Sequence, residues 1–188
     1  MKIYEIEGCD CTGKTTLFWS LENVVTHDKA FFESLPSSRY REKIVNRKIP
    51  LKTELASLLF AADRYEAIER MIESKKDIAF LDRYLMSTVV YQGEGDEIKI
   101  NEIIRIHEYL KLPYPTKGFL LTASPETVFE RKTKRGTTDV YELEGFEKRL
   151  ELYKQAYEIL SEKYPIVIIN TTGKEKLQVF KEVINLIP

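Results

Sequence analysis

The sequence predicts an α/β protein with three layers, α/β/α, around a central parallel sheet of about five strands. Three observations predict it. Strand-like apolar runs alternate with helix-patterned segments along all 188 residues, the order that produces a parallel sheet covered on both faces. Ile78-Ala79-Phe80-Leu81 is continuously apolar, as strands buried on both sides are. A glycine-containing turn, Gly8 to Thr15, joins the first strand directly to the first helix.

The elements follow in order. Ile3 to Glu7 reads as a short strand ending at Gly8, and Lys14 to Val25 as a helix. Leu51 to Ser74 is helical, with Leu55, Leu58, Leu59, Ala62 and Ile68 as its expected buried stripe. After the strand at 78–81, Asn101 to Leu110 is helical and Gly118 to Thr122 is a strand. Ser124-Pro125-Glu126 starts the next helix with a capping hydroxyl, a proline in the first turn and an acid at the positive end of the dipole. That helix is expected to run to Gly136. Phe146, Leu150, Tyr153, Tyr157, Leu160 and Tyr164 then step by three and four along a long amphipathic helix. Ile166 to Ile169 is the last strand and Glu175 to Leu186 the closing helix. No repeat, low-complexity tract or linker interrupts the chain, so residues 1–188 are expected to form one domain.

Composition narrows the function classes. Hydrophobic residues make up 43% and charged residues 31%, with a net charge of −1. There is no global positive field of the kind that attracts nucleic acid. The longest apolar runs, such as Ala56 to Ala62 broken by Ser57, fall far short of a membrane span. The chain enters at once into Lys2-Ile3-Tyr4-Glu5-Ile6, without the charged-then-apolar pattern of an export signal, and the cytoplasm is the expected location. Cys9 and Cys11 are the two cysteines. One intervening residue is too tight for an unstrained disulfide, and His27 and His107 lie elsewhere, so two reduced thiols are expected rather than a zinc site. Thiols near a helix N-terminus are expected to lean toward thiolate.

Gly8-Cys9-Asp10-Cys11-Thr12-Gly13-Lys14-Thr15, followed by Thr16, matches G-x-x-x-x-G-K-[ST]. Each fixed position has a reason. Glycines let backbone amides turn inward around phosphate oxygens, and the helix opening at Lys14 points its positive end at the same anion. Lys14 is placed to reach the β- and γ-phosphates of ATP, and the Thr15 hydroxyl to ligate Mg²⁺. The apolar run 78–81 ends in Asp82, a carboxylate at the sheet edge where the metal is held in such sites.

Downstream residues suggest the acceptor. Phe60 and Arg64 are four apart and share one helical face. Phe60 also lies off the expected buried stripe, which favours a binding role. A ring beside a guanidinium suits a flat heterocycle that one stacks on and the other hydrogen-bonds.

With these residues in view, the chain resembles the thymidylate kinase family. The resemblance rests on Glu7-Gly8-x-Asp10-x-x-Gly13-Lys14-Thr15-Thr16, Leu59-Phe60-Ala61-Ala62-Asp63-Arg64, Asp82-Arg83-Tyr84-x-x-Ser87 and Tyr91-Gln92-Gly93. Ser124-Pro125-Glu126, Arg131, Arg135-Gly136 and Asp139 resemble that family's lid region, about residues 131–145. The match spans most of the chain and is weakest from Asn23 to Pro50.

The resemblance implies a P-loop NTPase fold with a short helical lid, and transfer of the γ-phosphoryl group of ATP to dTMP. It also implies roles by position. Asp10 would orient the 3′-hydroxyl and acceptor phosphate, Phe60 would stack on thymine, and Arg64 would bond its carbonyl edge. Arg83 would hold the acceptor phosphate, with Ser87, Thr88 and Gln92 at the base pocket, and Tyr91 would crowd the 2′ position. Arg131 and Arg135 would serve the transferring phosphates, and Thr171 to Gly173 would lie near adenine. A homodimer is implied as well. Alternatives are a kinase for another deoxynucleotide or deoxynucleoside, and a P-loop protein that binds nucleotide without transferring it.

The chain departs from the family's pattern in three places. Ser34-Leu35-Pro36-Ser37 stands where Arg-Glu-Pro-Gly is common, so Arg39 or Arg41 is expected to supply the missing charge. Asp139-Val140 replaces Asp-Arg in the lid, and Cys11 stands where some relatives place Arg. Arg131, Lys132, Lys134 or Arg135 must then supply the transition-state charge, a role worth about 10³ or more in rate.

Overall fold

The computed structural model describes residues 1–46, 51–136 and 141–187, and for residues 141–144 the backbone only. Five parallel strands form one sheet in the order β2-β3-β1-β4-β5: β1 Lys2–Gly8, β2 Ala30–Ser34, β3 Ile78–Asp82, β4 Lys117–Thr122 and β5 Ile166–Asn170. Eight helices connect and cover them among the described residues: α1 Lys14–Val25, α2 Ser38–Ile44, α3 Thr53–Glu73, α4 Leu85–Gly93, α5 Glu97–Tyr109, α6 Pro125–Lys134, α7 Tyr141–Leu160 and α8 Lys176–Ile184. No helix among the described residues is long and apolar enough to cross a membrane. The expected lid, 131–145, takes in residues 137–140, which lie outside the described residues, and with them Asp139 and Val140.

Period-two alternation in β1 sorts its side chains between two cores. Tyr4 and Ile6 join Leu17, Phe18 and Leu21 of α1 and Val179 and Val183 of α8 on one face. There Phe32, Phe80, Tyr4 and Phe119 form a row across four strands, with neighbouring ring centroids 5.1, 5.5 and 6.2 Å apart. On the other face Ile3 packs with residues of α3, α4, α5 and α7. Glu5 and Glu7 are also buried, and their carboxylates accept hydrogen bonds from Met86 N and Tyr84 N, next to which α4 begins.

Several expectations about the elements need correction. The expected stripe of α3 holds only in part: Ile68 is buried and Leu59 and Ala62 are half-buried, but Leu55 and Leu58 are 47% and 52% exposed, and Ala56, Ala61, Ala67 and Met71 are buried instead. The inward face of α3 carries the small Ala56, Ser57, Ala61 and Ala67 with the polar Asp63 and Arg64 buried among them, and larger apolar side chains only at Ile68 and Met71. A hydrophobic-periodicity count therefore follows the wrong side over the first turns, at Leu55 and Leu58. Helix α5 begins at Glu97 rather than 101, since Asp96 caps the amides of Ile98 and Lys99. Helix α7 ends at Leu160, and Tyr164 lies beyond it, still buried.

Candidate active site

β1 is central, with β3 on one side and β4 on the other, so the chain leaves its carboxyl end at the switch point of the sheet, where open α/β sheets bind ligands. The turn there requires glycine twice. Gly8 has φ of 139°, and a Cβ on it would lie 2.2 Å from the carbonyl oxygen of Leu121. Gly13 has φ of 106° and caps α1 in the left-handed conformation. No side chain caps α1 and no acid lies in its first turn, so its amides and dipole face the loop, the arrangement that receives an anion.

Lys14 is buried under this loop. Its Nζ donates to Cys9 O at 2.7 Å and lies 3.8 Å from Asp10 Oδ1. Burial, with the nearby Arg83 charge, holds its pKa below the usual lysine range. Thr12 Oγ1 also donates to Cys9 O, at 2.8 Å. Cys9 itself turns into the core, and burial pushes its thiol up to about 11. That overturns the thiolate expectation for this cysteine: desolvation outweighs the neighbouring cations.

A small pocket of about 110 Å³ lies between the loop and the end of β3, lined by Asp10, Gly13, Lys14, Thr15, Asp82 and Arg83, with Cys11 and Arg135 completing it. Asp82 Oδ2 accepts from the Ser34 hydroxyl at 3.3 Å. Its Oδ1 is buried with no hydrogen-bond partner among the described residues. Burial raises the pKa of this carboxyl although Lys14 and Arg83 pull it down. A buried carboxylate oxygen without a partner, facing a pocket that Thr15 also lines, fits a hard divalent cation such as Mg²⁺.

On the outer side of the loop a cavity of about 480 Å³ is lined by Cys11, Thr12, Gly13, Thr16, Arg131, Lys134, Arg135 and Thr171, together with the start of α8. Arg131 ties its walls together: Nη1 donates to Cys11 O at 3.1 Å and to Thr171 Oγ1 at 3.0 Å, and Nη2 to Thr171 O at 3.0 Å. Of Arg131, Lys132, Lys134 and Arg135, it is Arg135 that lines both this cavity and the small pocket, with Nη1 donating to Cys11 Sγ at 3.7 Å. Gly173 is not among the lining residues; with φ of 67° it forms the turn that leads to α8.

A third cavity, of about 490 Å³, opens on the inner side. It receives Asp10, Phe60, Arg64 and Arg83 together with Ser87, Thr88, Tyr91 and Gln92 of α4. The expected acceptor residues thus converge from three elements far apart in sequence. Arg39 does not join them. It points outward to Glu66 at 3.3 Å, and Arg41 lines the cavity instead. Two residues of α2, about half a turn, put Arg39 and Arg41 on opposite sides of the helix, and Glu66 pairs with the outward Arg39. The substituted segment stands where the sequence placed it. Leu35 N donates to Asp82 O at 2.9 Å, and Asp63 accepts from Ser37 N at 2.9 Å and its hydroxyl at 2.6 Å.

Arg64 is 2% exposed and its Nη1 donates to Thr88 Oγ1. Nε and Nη2 are buried without a partner among the described residues, and burial lowers the pKa of the group. Two orphan donors in a cavity wall call for a ligand with acceptor atoms. Arg83 sits at φ of 71°, sparse territory for a residue with a Cβ. Its amide donates to Ile6 O at 3.0 Å, Nη2 to Asp10 Oδ1 at 2.9 Å and Nη1 to Ser87 Oγ at 3.1 Å. Desolvation opposes the charge on Arg83, but Tyr153, Glu7, Tyr91 and Asp10 hold its pKa above normal. Burial would raise Asp10, yet Lys14, Arg83 and Arg149 hold it below the usual carboxylate range.

Sequence reasoning missed Arg149, which lines the acceptor-side cavity from α7. A signal existed: Phe146, Arg149 and Tyr153 share one helical face whose apolar members are buried.

The comparisons agree with this geometry. A family model described as thymidylate kinase matches residues 6–183. The probable thymidylate kinase of Methanocaldococcus jannaschii is 36% identical over 185 residues, covering 95% of this chain and 91% of that protein. The thymidylate kinase of Finegoldia magna is 29% identical, covering 88% of each. Among solved structures, thymidylate kinase from Candida albicans superposes with a TM-score of 0.73 at 24% identity, over 99% of this chain and 90% of that one. That from Ehrlichia chaffeensis gives 0.70 at 20% identity, over 98% and 97%. The fold is therefore the expected P-loop α/β fold, and the chain is an enzyme that belongs to the thymidylate kinase family.

Proposed function

We propose that the protein transfers the γ-phosphoryl group of ATP to dTMP, giving dTDP and ADP. One observation carries this reading: a cavity walled by a buried arginine with two unpartnered donors meets a phosphate loop through two shared residues, Asp10 and Arg83. The loop-side cavity would take ATP against Thr12, Thr16 and Thr171. The inner cavity would take the acceptor, with its base between Phe60 and Arg64 and its phosphate beside Arg83.

The chemistry then needs little from the protein except placement and charge. An acceptor phosphate oxygen is already anionic, so it forms the new bond to the γ-phosphorus without a general base, while the bond to the β,γ-bridging oxygen breaks. Lys14 and Arg135 line the pocket between the two cavities and would neutralise charge on the transferring group. Asp10, held ionised, fixes Arg83 and would accept the sugar 3′-hydroxyl. Thr15 and Asp82 would hold Mg²⁺, which when bound shields the phosphate charge. Arg131 closes the donor side by joining the loop to Thr171 rather than touching the reacting pocket.

Residues 1–188 act as one kinase domain in this reading, and the cytoplasm is its setting. A homodimer is part of it too, supported by the exposed side of α3, where Leu55, Leu58, Tyr65 and Ile72 are 43–63% exposed at spacings of three and seven.

The test is ADP release in a coupled assay with ATP, Mg²⁺ and dTMP, run against dCMP, dGMP and thymidine. Turnover that depends on dTMP and exceeds that with the other acceptors is expected. Absence of acceptor-dependent ADP, or preference for thymidine, overturns the proposal.

A further inference from the structure

The inner cavity holds an arginine that none of the expected roles uses. The guanidinium carbon of Arg149 lies 4.9 Å from the ring centroid of Tyr91, and that of Arg83 lies 5.5 Å from the same ring. One aromatic ring therefore lies within cation–π range of both guanidinium groups, and Arg149 also makes a side-chain hydrogen bond to Tyr91. Arg149 belongs to the phosphate end of the cavity. Its field acts on Asp10 and Cys9, whereas Arg64 faces Thr88 and Tyr84 at the other end. It lines the acceptor cavity but is not among the residues around the small pocket, so its charge is directed at the acceptor and not at the group in transit.

A bound monophosphate brings about −1.5 to −2 charges. Arg83 answers only part of that, because Asp10 already offsets its charge and one N–H of each terminal nitrogen is taken, by Asp10 and by Ser87. The segment Ser34 to Ser37 supplies no cation. We propose that Arg149 is the second arginine that grips the acceptor phosphate, reaching from α7 to stand in for the basic residue that the 34–37 segment lacks. The inference rests on the reading of a monophosphate acceptor. It also gives α7, which spans Tyr141–Leu160, a direct hold on the acceptor.

The test compares a charged ligand with its neutral counterpart. Binding of dTMP and of thymidine is measured by calorimetry for the wild type, Arg149→Met, Arg149→Lys and Arg41→Met, with the KM for ATP and the unfolding midpoint of each. Arg149→Met is expected to weaken dTMP roughly 10- to 100-fold, the range for a charge-assisted hydrogen bond. Thymidine affinity and the KM for ATP should stay level, and Arg149→Lys should recover part of the loss. Equal weakening of dTMP and thymidine would mean that Arg149 only shapes α7, and the inference fails. It fails too if dTMP binding is unchanged in both Arg149 variants, or if Arg41→Met alone carries the loss. Wild-type protein that binds ATP but no dTMP brings down the acceptor reading, and this inference with it.

Discussion

The carboxylate of Glu7 accepts both the amide of Ser87, at 3.0 Å, and its hydroxyl, at 2.7 Å. Helix α4 has no side-chain cap of its own at Tyr84, so this strand carboxylate does the capping from another element, with Tyr84 N also donating to it at 2.8 Å. Ser87 in turn holds Arg83. Glu7→Gln places an amide NH₂ against donors and should cost about 1–3 kcal/mol of stability. The KM for dTMP should rise more than that for ATP. Chemical denaturation and steady-state kinetics read both; a variant with unchanged KM values contradicts this account of how Arg83 is positioned.

Arg64 is a case where activity and stability should part. It is a desolvated cation with two unpaired donors, and apolar replacement of such groups is often neutral or stabilising. Arg64→Met should leave the melting temperature unchanged or raise it by about 2–4 °C. The KM for dTMP should rise roughly 10- to 100-fold, and the preference for dTMP over dCMP should fall. A large drop in melting temperature would show that the charge is compensated in the free protein.

Lys14→Ala should lower turnover at least ~100-fold, as loss of other preorganised charge-stabilising groups does. Circular dichroism should be unchanged. Near-normal turnover would remove the loop from the chemistry.

His107 gives the fold a pH dependence. It is fully buried, with Tyr84 and Tyr114 rings 5.6 and 4.9 Å away. Burial, helped by Arg64 and opposed by Glu108, lowers its pKa to about 3. Below pH 6.5 the unfolded chain takes up a proton that the folded chain refuses until pH nears 3, so folding weakens as pH falls through that window. From pH 7 to 5 this one group should cost about 2 kcal/mol. Urea denaturation at the two pH values should show the loss, and His107→Phe should remove most of it.

Leu58→Glu puts a charge on the exposed side of α3. Light scattering should show a shift from dimer to monomer with secondary structure intact. If the wild type is already a monomer, the homodimer reading is wrong.

How much of this could be read from the chain depended on the distance over which each signal acts. The loop from Gly8 to Thr15, four of the five strands and the Ser124 cap are local patterns, and the structure matches them, whereas β2 at Ala30–Ser34 was not placed from the sequence. Arg83, Ser87 and Tyr91 were legible because they follow Asp82 closely. The phase of α3 was not, since small residues and a buried ion carry its inner face. Nothing local marks Glu5 and Glu7 as buried, because their partners Ser87, Tyr153 and Tyr164 lie 80 to 159 residues away. Arg149 left only its place on a partly buried helical face as a signal; its proposed role depends on Tyr91 and Asp10, which only folding brings near.

One strand thus anchors both halves of the reaction. β1 ends in the turn proposed to surround the donor and, from the same backbone, holds α4, which lines the proposed acceptor cavity, through Glu5 and Glu7. Any drift of that strand carries the two substrates together and leaves their separation as it was. In the proposed reaction the gap between them can therefore change only through parts not fastened to β1, which makes the central strand a fixed ruler for the attack distance.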